Sequence, residues 1–126
     1  MTEAQTALAE LTEISSQVEA AVLFDSSGAV TAATLPDEAA ARLASAARAL
    51  MESADQLREG ELTQVEAATG EGSLFVARDG ERLIAALTAP EPTAGLVFYD
   101  LKSCLRRAVE KPKPKRRPRA KASGTS

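Results

Sequence analysis

The side chains in this chain that could do chemistry are few, and their spacing argues against a catalytic centre. There is no histidine among its 126 residues, which removes the commonest general base and the commonest transition-metal ligand. The single cysteine, Cys104, cannot form a Cys-rich zinc site or a dithiol redox pair. It falls on the apolar side of a predicted helix, whereas a reactive thiol needs an electropositive, exposed setting; Cys104 therefore reads as a packing residue. Gly70-Glu71-Gly72-Ser73 has the glycine content of a phosphate cradle. It lacks the Gly-Lys-Ser/Thr continuation and opens into a strand instead of a helix, so a hairpin loop is the better reading. Asp25 and Asp79 could be imagined as paired carboxylates, yet each heads a turn with a glycine nearby, where Asp serves its own backbone. No cofactor and no metal is expected, and the chain reads as a non-enzyme.

One segment has a strong electrostatic signature. KPKPKRRPRAKASGTS, residues 111–126, holds Lys111, Lys113, Lys115, Arg116, Arg117, Arg119 and Lys121 and no acid. Residues 1–110 hold 8 basic against 18 acidic residues, a net of −10, so the overall −3 conceals an acidic domain followed by a tail of +7. The two parts need separate explanations. A run of cations binds polyanions without a defined shape. Nucleic acid, an anionic membrane surface and an acidic protein all fit, as does a tail that screens its own domain. The segment has no aromatic residue for base stacking. It has no apolar anchor either, so membrane attachment through it would rest on charge, at about 1 kcal/mol per basic residue near an anionic surface. Alternating Pro and Lys/Arg cannot build a core, and disorder in isolation is expected.

The elements that position these residues follow from periodicity and turn chemistry. A first helix is predicted from a Thr2 cap, with Gln5 completing a capping box. Ala4, Ala7, Leu8, Leu11, Ile14 and Val18 form its apolar face, and it runs to about Gln17. Residues 20–34 read as a hairpin, with strands Ala21–Phe24 and Ala29–Thr34 around Asp25-Ser26-Ser27-Gly28. A long helix follows over Pro36–Glu59, ended by Gly60, with Asp37 and Glu38 at its positive end. Glu38–Arg42 and Arg48–Glu52 are i, i+4 pairs on its outer face. Strands are predicted at Leu62–Thr69, with edge character, at Ser73–Arg78 and at Arg82–Ala89. A third helix spans Thr93–Glu110 before Pro112, burying Val97, Leu101, Cys104, Leu105 and Ala108.

The long helix is apolar over more of its circumference than one core requires. Leu43, Leu50 and Leu57 cluster with Ala39 and Ala46, and beside them runs a second stripe of Ala40, Ala44, Ala47, Met51 and Ala54. Together they cover roughly 180°, where a surface helix needs about 100°. The leucines are expected to face the sheet, and the alanines and Met51 to face another protein.

Composition bounds the rest. The length suits one domain, 1–110, that can bury a core without a disulfide or metal. The start, MTEAQTALAE, has neither the basic flank nor the apolar run of an export signal. With one unpaired cysteine, this predicts a reducing, cytoplasmic setting. No apolar stretch approaches the 18 or so residues of a membrane span.

In order and turn positions, residues 3–110 resemble a Roadblock domain, the dynein light-chain and bacterial gliding-regulator type. The matching segments are AAVLFDSSGAVTAAT, the Ala/Leu-rich helix to Glu59, GSLFVARDGERLIAALTAP and TAGLVFYDLKSCLRRAVE. The tail lies outside the family pattern. The resemblance implies an α+β, profilin-like sandwich: a five-stranded antiparallel sheet, the long helix on one face and the terminal helices on the other. It implies a homodimer through the long helices and edge strands, here Ala40, Ala44, Ala47, Met51 and Ala54 with Leu62–Thr69, including Gln64 and Glu66. It also implies a regulator or scaffold of a Ras-like small GTPase that reorders the GTPase's own catalytic residues and holds no nucleotide. An arginine supplied in trans is the alternative, and Arg42, Arg48 and Arg58 are available. The competing reading of the whole chain is a dimeric adaptor whose polybasic tail binds nucleic acid or an anionic membrane.

Overall fold

A computed structural model describes residues 2–57 and 62–109. The element order is α1 (Glu3–Ile14), β1 (Val18–Asp25), β2 (Val30–Ala33), α2 (Asp37–Asp55), β3 (Gln64–Thr69), β4 (Gly72–Asp79), β5 (Arg82–Thr88) and α3 (Ala94–Val109). The five strands form one sheet in the order β2-β1-β5-β4-β3, and every neighbouring pair is antiparallel. Helix, hairpin, helix, three strands and helix therefore occur as the sequence pattern predicts, in an α+β sandwich.

Both faces of the sheet are covered, which explains the nearly continuous apolar character of its central strands. Along β1 the side chains alternate between two cores. Ala21 and Leu23 join Phe75, Ala77, Ile84 and Ala86 under α1 and α3. Val22 and Phe24 join Val76, Leu83 and Ala85 under α2. Register keeps the layers in line, with Val22 opposite Ala85 and Ala85 opposite Val76. Phe75 meets Phe98 of α3 edge to face, at 4.9 Å between ring centroids, the arrangement that aromatic quadrupoles favour.

The helix starts obey their local signals. Thr2 accepts from the Gln5 N–H at 3.1 Å, and the Gln5 side chain accepts from the Thr2 N–H at 3.3 Å, closing the capping box. The helix ends three residues earlier than its pattern suggests, because Ser15 caps it and Val18 is taken into β1. Ile14, expected in the core, is consequently 63% exposed. Pro36 occupies the position before α2 and not its first turn. Helix α2 ends at Asp55, capped by Gln56, and Gln56 and Leu57 lie in a turn, so the helix is four residues shorter than the predicted run to Glu59; Gly60, Pro112 and the tail lie outside the described residues.

Two glycines are dictated by geometry. Gly28 has φ +94° in the β1–β2 turn, a conformation that costs other residues strain. Gly72, φ +154°, lies so close to β5 that a Cβ there would sit 2.2 Å from the Thr88 carbonyl oxygen. That obstacle is backbone, and Thr88 is held at the end of β5 by pairing with both β4 and β1, so it does not move aside freely. Gly72→Ala should lower unfolding stability by about 3 kcal/mol or more, read as a reduced midpoint in urea, whereas Gly70→Ala, with nothing within 4 Å of its would-be Cβ, should change it little.

Candidate functional site

The groups that could have done chemistry are each accounted for by local structure. The Asp25 carboxylate accepts from Ser27 Oγ at 2.6 Å and from the N–H groups of Ser27 and Ala29, both at 3.0 Å. The Ser27 hydroxyl and then the Ala29 N–H hold its pKa below the usual carboxylate range; this is a turn residue stabilising its own loop. In the β3–β4 hairpin the Thr69 hydroxyl donates to the Gly72 carbonyl at 2.9 Å and accepts from the Glu71 N–H at 3.1 Å. The glycine-rich segment is thus spent on a tight turn. Cys104 is fully buried in the α1–α3 core. Burial pushes its thiol up to about 11, against a smaller downward pull from Arg107. Among the described residues, no group of three or more His, Cys, Asp or Glu is placed to hold a metal ion.

What the structure offers instead is surface, and the long helix is rolled opposite to expectation. Ala40, Ala44, Ala47 and Met51, assigned from the sequence to a partner, are no more than 2% exposed and lie against the sheet. Their small size lets the helix backbone come close to its own strands, so those four are a correction: they are core. Ala54 and Leu62 are half-buried beside them. The leucines sit at the flank. Leu43 reaches the core at 9% exposure, Leu50 is half-buried, and Leu57, in the turn after the helix, is 78% exposed.

That flank borders a corner of the sheet that α2 leaves open. The helix starts beyond β2 and finishes near β3 and β4, where Arg78 grips Asp55 through two hydrogen bonds of 3.2 Å and also donates to the Leu62 carbonyl. On the opposite flank Arg48 reaches toward Gly28 of the β1–β2 turn. A helix running along that diagonal cannot cover the far end of β3, β4 and β5. Ala67, Leu74 and Leu87 line a shallow groove of about 370 Å³ there, rimmed by Glu19, Thr69 and Glu71. Beside it, among the described residues, β3 has a strand on one side only. Since the Arg78 N–H bonds to the Thr63 carbonyl, strand alternation turns the peptide groups of Gln64, Glu66 and Ala68 away from β4. Gln64 is half-buried and Glu66 exposed. An unpaired edge next to open apolar surface is a template for another chain.

The cations do not converge on this surface. Arg42 is held 3.9 Å from Glu38 and Arg48 3.5 Å from Glu52, both pairs well exposed. Arg107 bonds Glu10 at 3.1 Å across the α1–α3 layer. Arg58 and the seven tail cations lie outside the described residues.

Sequence comparison decides the family. The Roadblock/LC7 domain model matches residues 4–89, about two-thirds of the chain, from α1 through β5. The chain belongs to the Roadblock/LC7 domain family. No curated protein matches it in sequence. Among solved structures, this Roadblock/LC7 domain is similar to one from Streptomyces avermitilis at 21% identity, over 81% of this chain and 91% of that one, with a TM-score of 0.74. It is similar to Myxococcus xanthus MglB at 17% identity, covering 85% and 92% of the two chains, TM-score 0.67. Profilin IB of Acanthamoeba castellanii shares the architecture at 14% identity, over 80% and 94%, TM-score 0.58. At these identities the likeness is one of fold, and it makes the domain a profilin-like sandwich. Among the described residues, no helix of the Roadblock/LC7 domain is long and apolar enough to cross a membrane.

Two measurements check these placements. Native Cys104 should resist a thiol reagent at pH 8, well below its raised pKa, and label only at the rate of unfolding; rapid stoichiometric labelling would put it at the surface. Ala47→Arg should unfold the monomer, losing about 3 kcal/mol or more, because the cation would be forced between helix and sheet; a folded variant in far-UV circular dichroism would contradict the observed roll of α2.

Proposed function

We propose that this Roadblock/LC7 domain acts as a homodimeric, non-enzymatic regulator or scaffold of a Ras-like small GTPase. The observation that carries the reading is the continuous surface formed by the free β3 edge, the open sheet corner and the leucine flank of α2. Two copies joined antiparallel through β3 would extend the sheet to ten strands. The twofold axis would bring the Leu50 and Leu57 flank of each α2 toward the other copy's Ala67, Leu74 and Leu87. That satisfies the edge's backbone groups and covers apolar area in one step.

Family membership supports the GTPase half of the proposal. Such a regulator would hold the GTPase's own residues in place for hydrolysis and would carry no nucleotide. Arg42 and Arg48 are the exposed arginines of α2; their solvent-exposed pairs with glutamates four residues away are weak, so either is available as the alternative, an arginine donor in trans.

The dimer is tested by Leu50→Asp with Leu57→Asp. Charges at a desolvated contact should weaken association by about thirtyfold or more, so analytical ultracentrifugation should find monomer while the thermal melt of the monomer fold persists. A dimer of unchanged affinity would remove this surface from the interface. The GTPase half is tested by pulling down Ras-like GTPases of the same cell, loaded with GDP or a GTP analogue, and by single-turnover hydrolysis. Binding in at least one nucleotide state is expected; absence of binding in all of them would end it.

A further inference from the structure

We infer that a cavity between α3 and the end of β4 binds the phosphoryl group of a small phosphate monoester, with Lys102 and Arg106 as its cations. The reading stands apart from the GTPase proposal, because it concerns the α1–α3 side of the sheet. The cavity holds about 260 Å³ and is lined by Thr63, Arg78, Asp79, Lys102, Leu105 and Arg106. Two elements and a connecting segment meet there. Lys102, Leu105 and Arg106 stand at i, i+3 and i+4 on α3, so helical spacing turns them to one side. Leu105, itself buried, gives the cavity an apolar floor. Asp79 ends β4 two residues after Ala77, which is buried under α1 and α3, and strand alternation puts it on the same face. The segment entering β3 brings Thr63, fixed by its carbonyl, which accepts from the Arg78 N–H at 2.8 Å.

Charge gives this cavity its chemistry. Residues 1–110 hold 18 acids against 8 bases, and Arg42, Arg48, Arg78 and Arg107 are each ion-paired. Lys102 and Arg106, by contrast, make neither an ion pair nor a hydrogen bond among the described residues. They stand one helical turn apart, a like-charge spacing that works against the helix. The negative end of α3 favours cations, and Arg107 already supplies one there while bonded to Glu10; that preference does not require the other two to share a cavity. Arg78 adds no net charge, since its guanidinium is bonded to Asp55. The one acid of the lining, Asp79, stands opposite Arg82 in the β4–β5 ladder, where unlike charges attract. Lys102, Arg106 and Arg82 against Asp79 therefore leave +2 in an acidic domain. A phosphate monoester carries about −1.5 to −2 at neutral pH. Its three free oxygens can take an ammonium, a guanidinium and a hydroxyl from different elements at once. A carboxylate has two oxygens in one plane and is best met by a single guanidinium fork, which cations on successive turns do not make. Leu105 offers the ester's organic group an apolar wall.

The test is an NMR titration of the full isotope-labelled chain with glycerol phosphate, inorganic phosphate and acetate at constant ionic strength. Glycerol phosphate should move the amide signals of Thr63, Asp79, Lys102 and Arg106 along one saturating curve. Acetate should bind there about tenfold more weakly or less. Lys102→Gln with Arg106→Gln should weaken binding at Thr63 and Asp79 by about tenfold or more, while signals elsewhere in the domain keep their positions and report an intact fold. Asp79→Asn, a residue that also suits the turn, should tighten binding about threefold by removing a like charge at close range. Shifts confined to residues 111–126, unchanged affinity in the double variant, or equal saturation by acetate would overturn the site. Inorganic phosphate binding more tightly than glycerol phosphate would show that the ester group is not accommodated, and would overturn the monoester.

Discussion

The seating of α2 on the sheet is the constraint from which the rest of the surface follows. Ala40, Ala44 and Ala47 recur at i, i+4 and i+7, so one stripe of the helix is almost backbone alone, and the sheet beneath it supplies the bulk through Val22, Phe24, Val76 and Leu83. Close approach of this kind gains dispersion contacts along the whole helix. It also decides what is left over. Once the alanines are inside, the leucines must sit at the flank, and a 19-residue helix laid along the diagonal leaves one corner of the sheet bare. The open corner and the half-buried Leu50 have the same cause.

The far end of α2 is fastened by charge. Arg78 and Asp55 form a two-bond pair of which the arginine side chain is 16% exposed, and the same guanidinium reaches the Leu62 carbonyl. A guanidinium presents several donors in a fixed fork, so one side chain ties together helix end, inner strand and the approach to β3. The free edge is therefore presented on a held segment, which favours recognition because little ordering is needed on contact.

How much of this could be read in advance depended on whether the signal was local. The capping box at Thr2, the Asp25–Gly28 turn and the i, i+4 pairs of α2 need only neighbours in sequence, and they occur as read. The strands were legible because two covered faces demand continuous apolar runs. The roll of α2 was not. Both its stripes are apolar, and periodicity gives their angular separation but not which of them faces inward. Size points to the alanines only when the sheet's own bulk is known, since small residues suit close contact with any backbone, its own or a partner's. Ile14 failed for a related reason: helical spacing places it on the buried face, but Ser15 ends the helix and β1 takes Val18. The open corner had no signal in sequence, because Ala67, Leu74 and Leu87 look like core and become surface only through the diagonal path of a helix elsewhere in the chain.

An antiparallel sheet with unlike faces also separates two kinds of contact that would otherwise compete. The β3 edge and the α2 flank lie on one side, and the ridge of α3 on the other. If copies join through β3 about an axis perpendicular to the sheet, both α2 helices fall on the same side and both α1–α3 layers on the opposite one. The exposed Leu96 and Tyr99 of α3 would then lie on the side away from α2 in both copies, so a contact made on one face of the pair would leave the other free for a third protein.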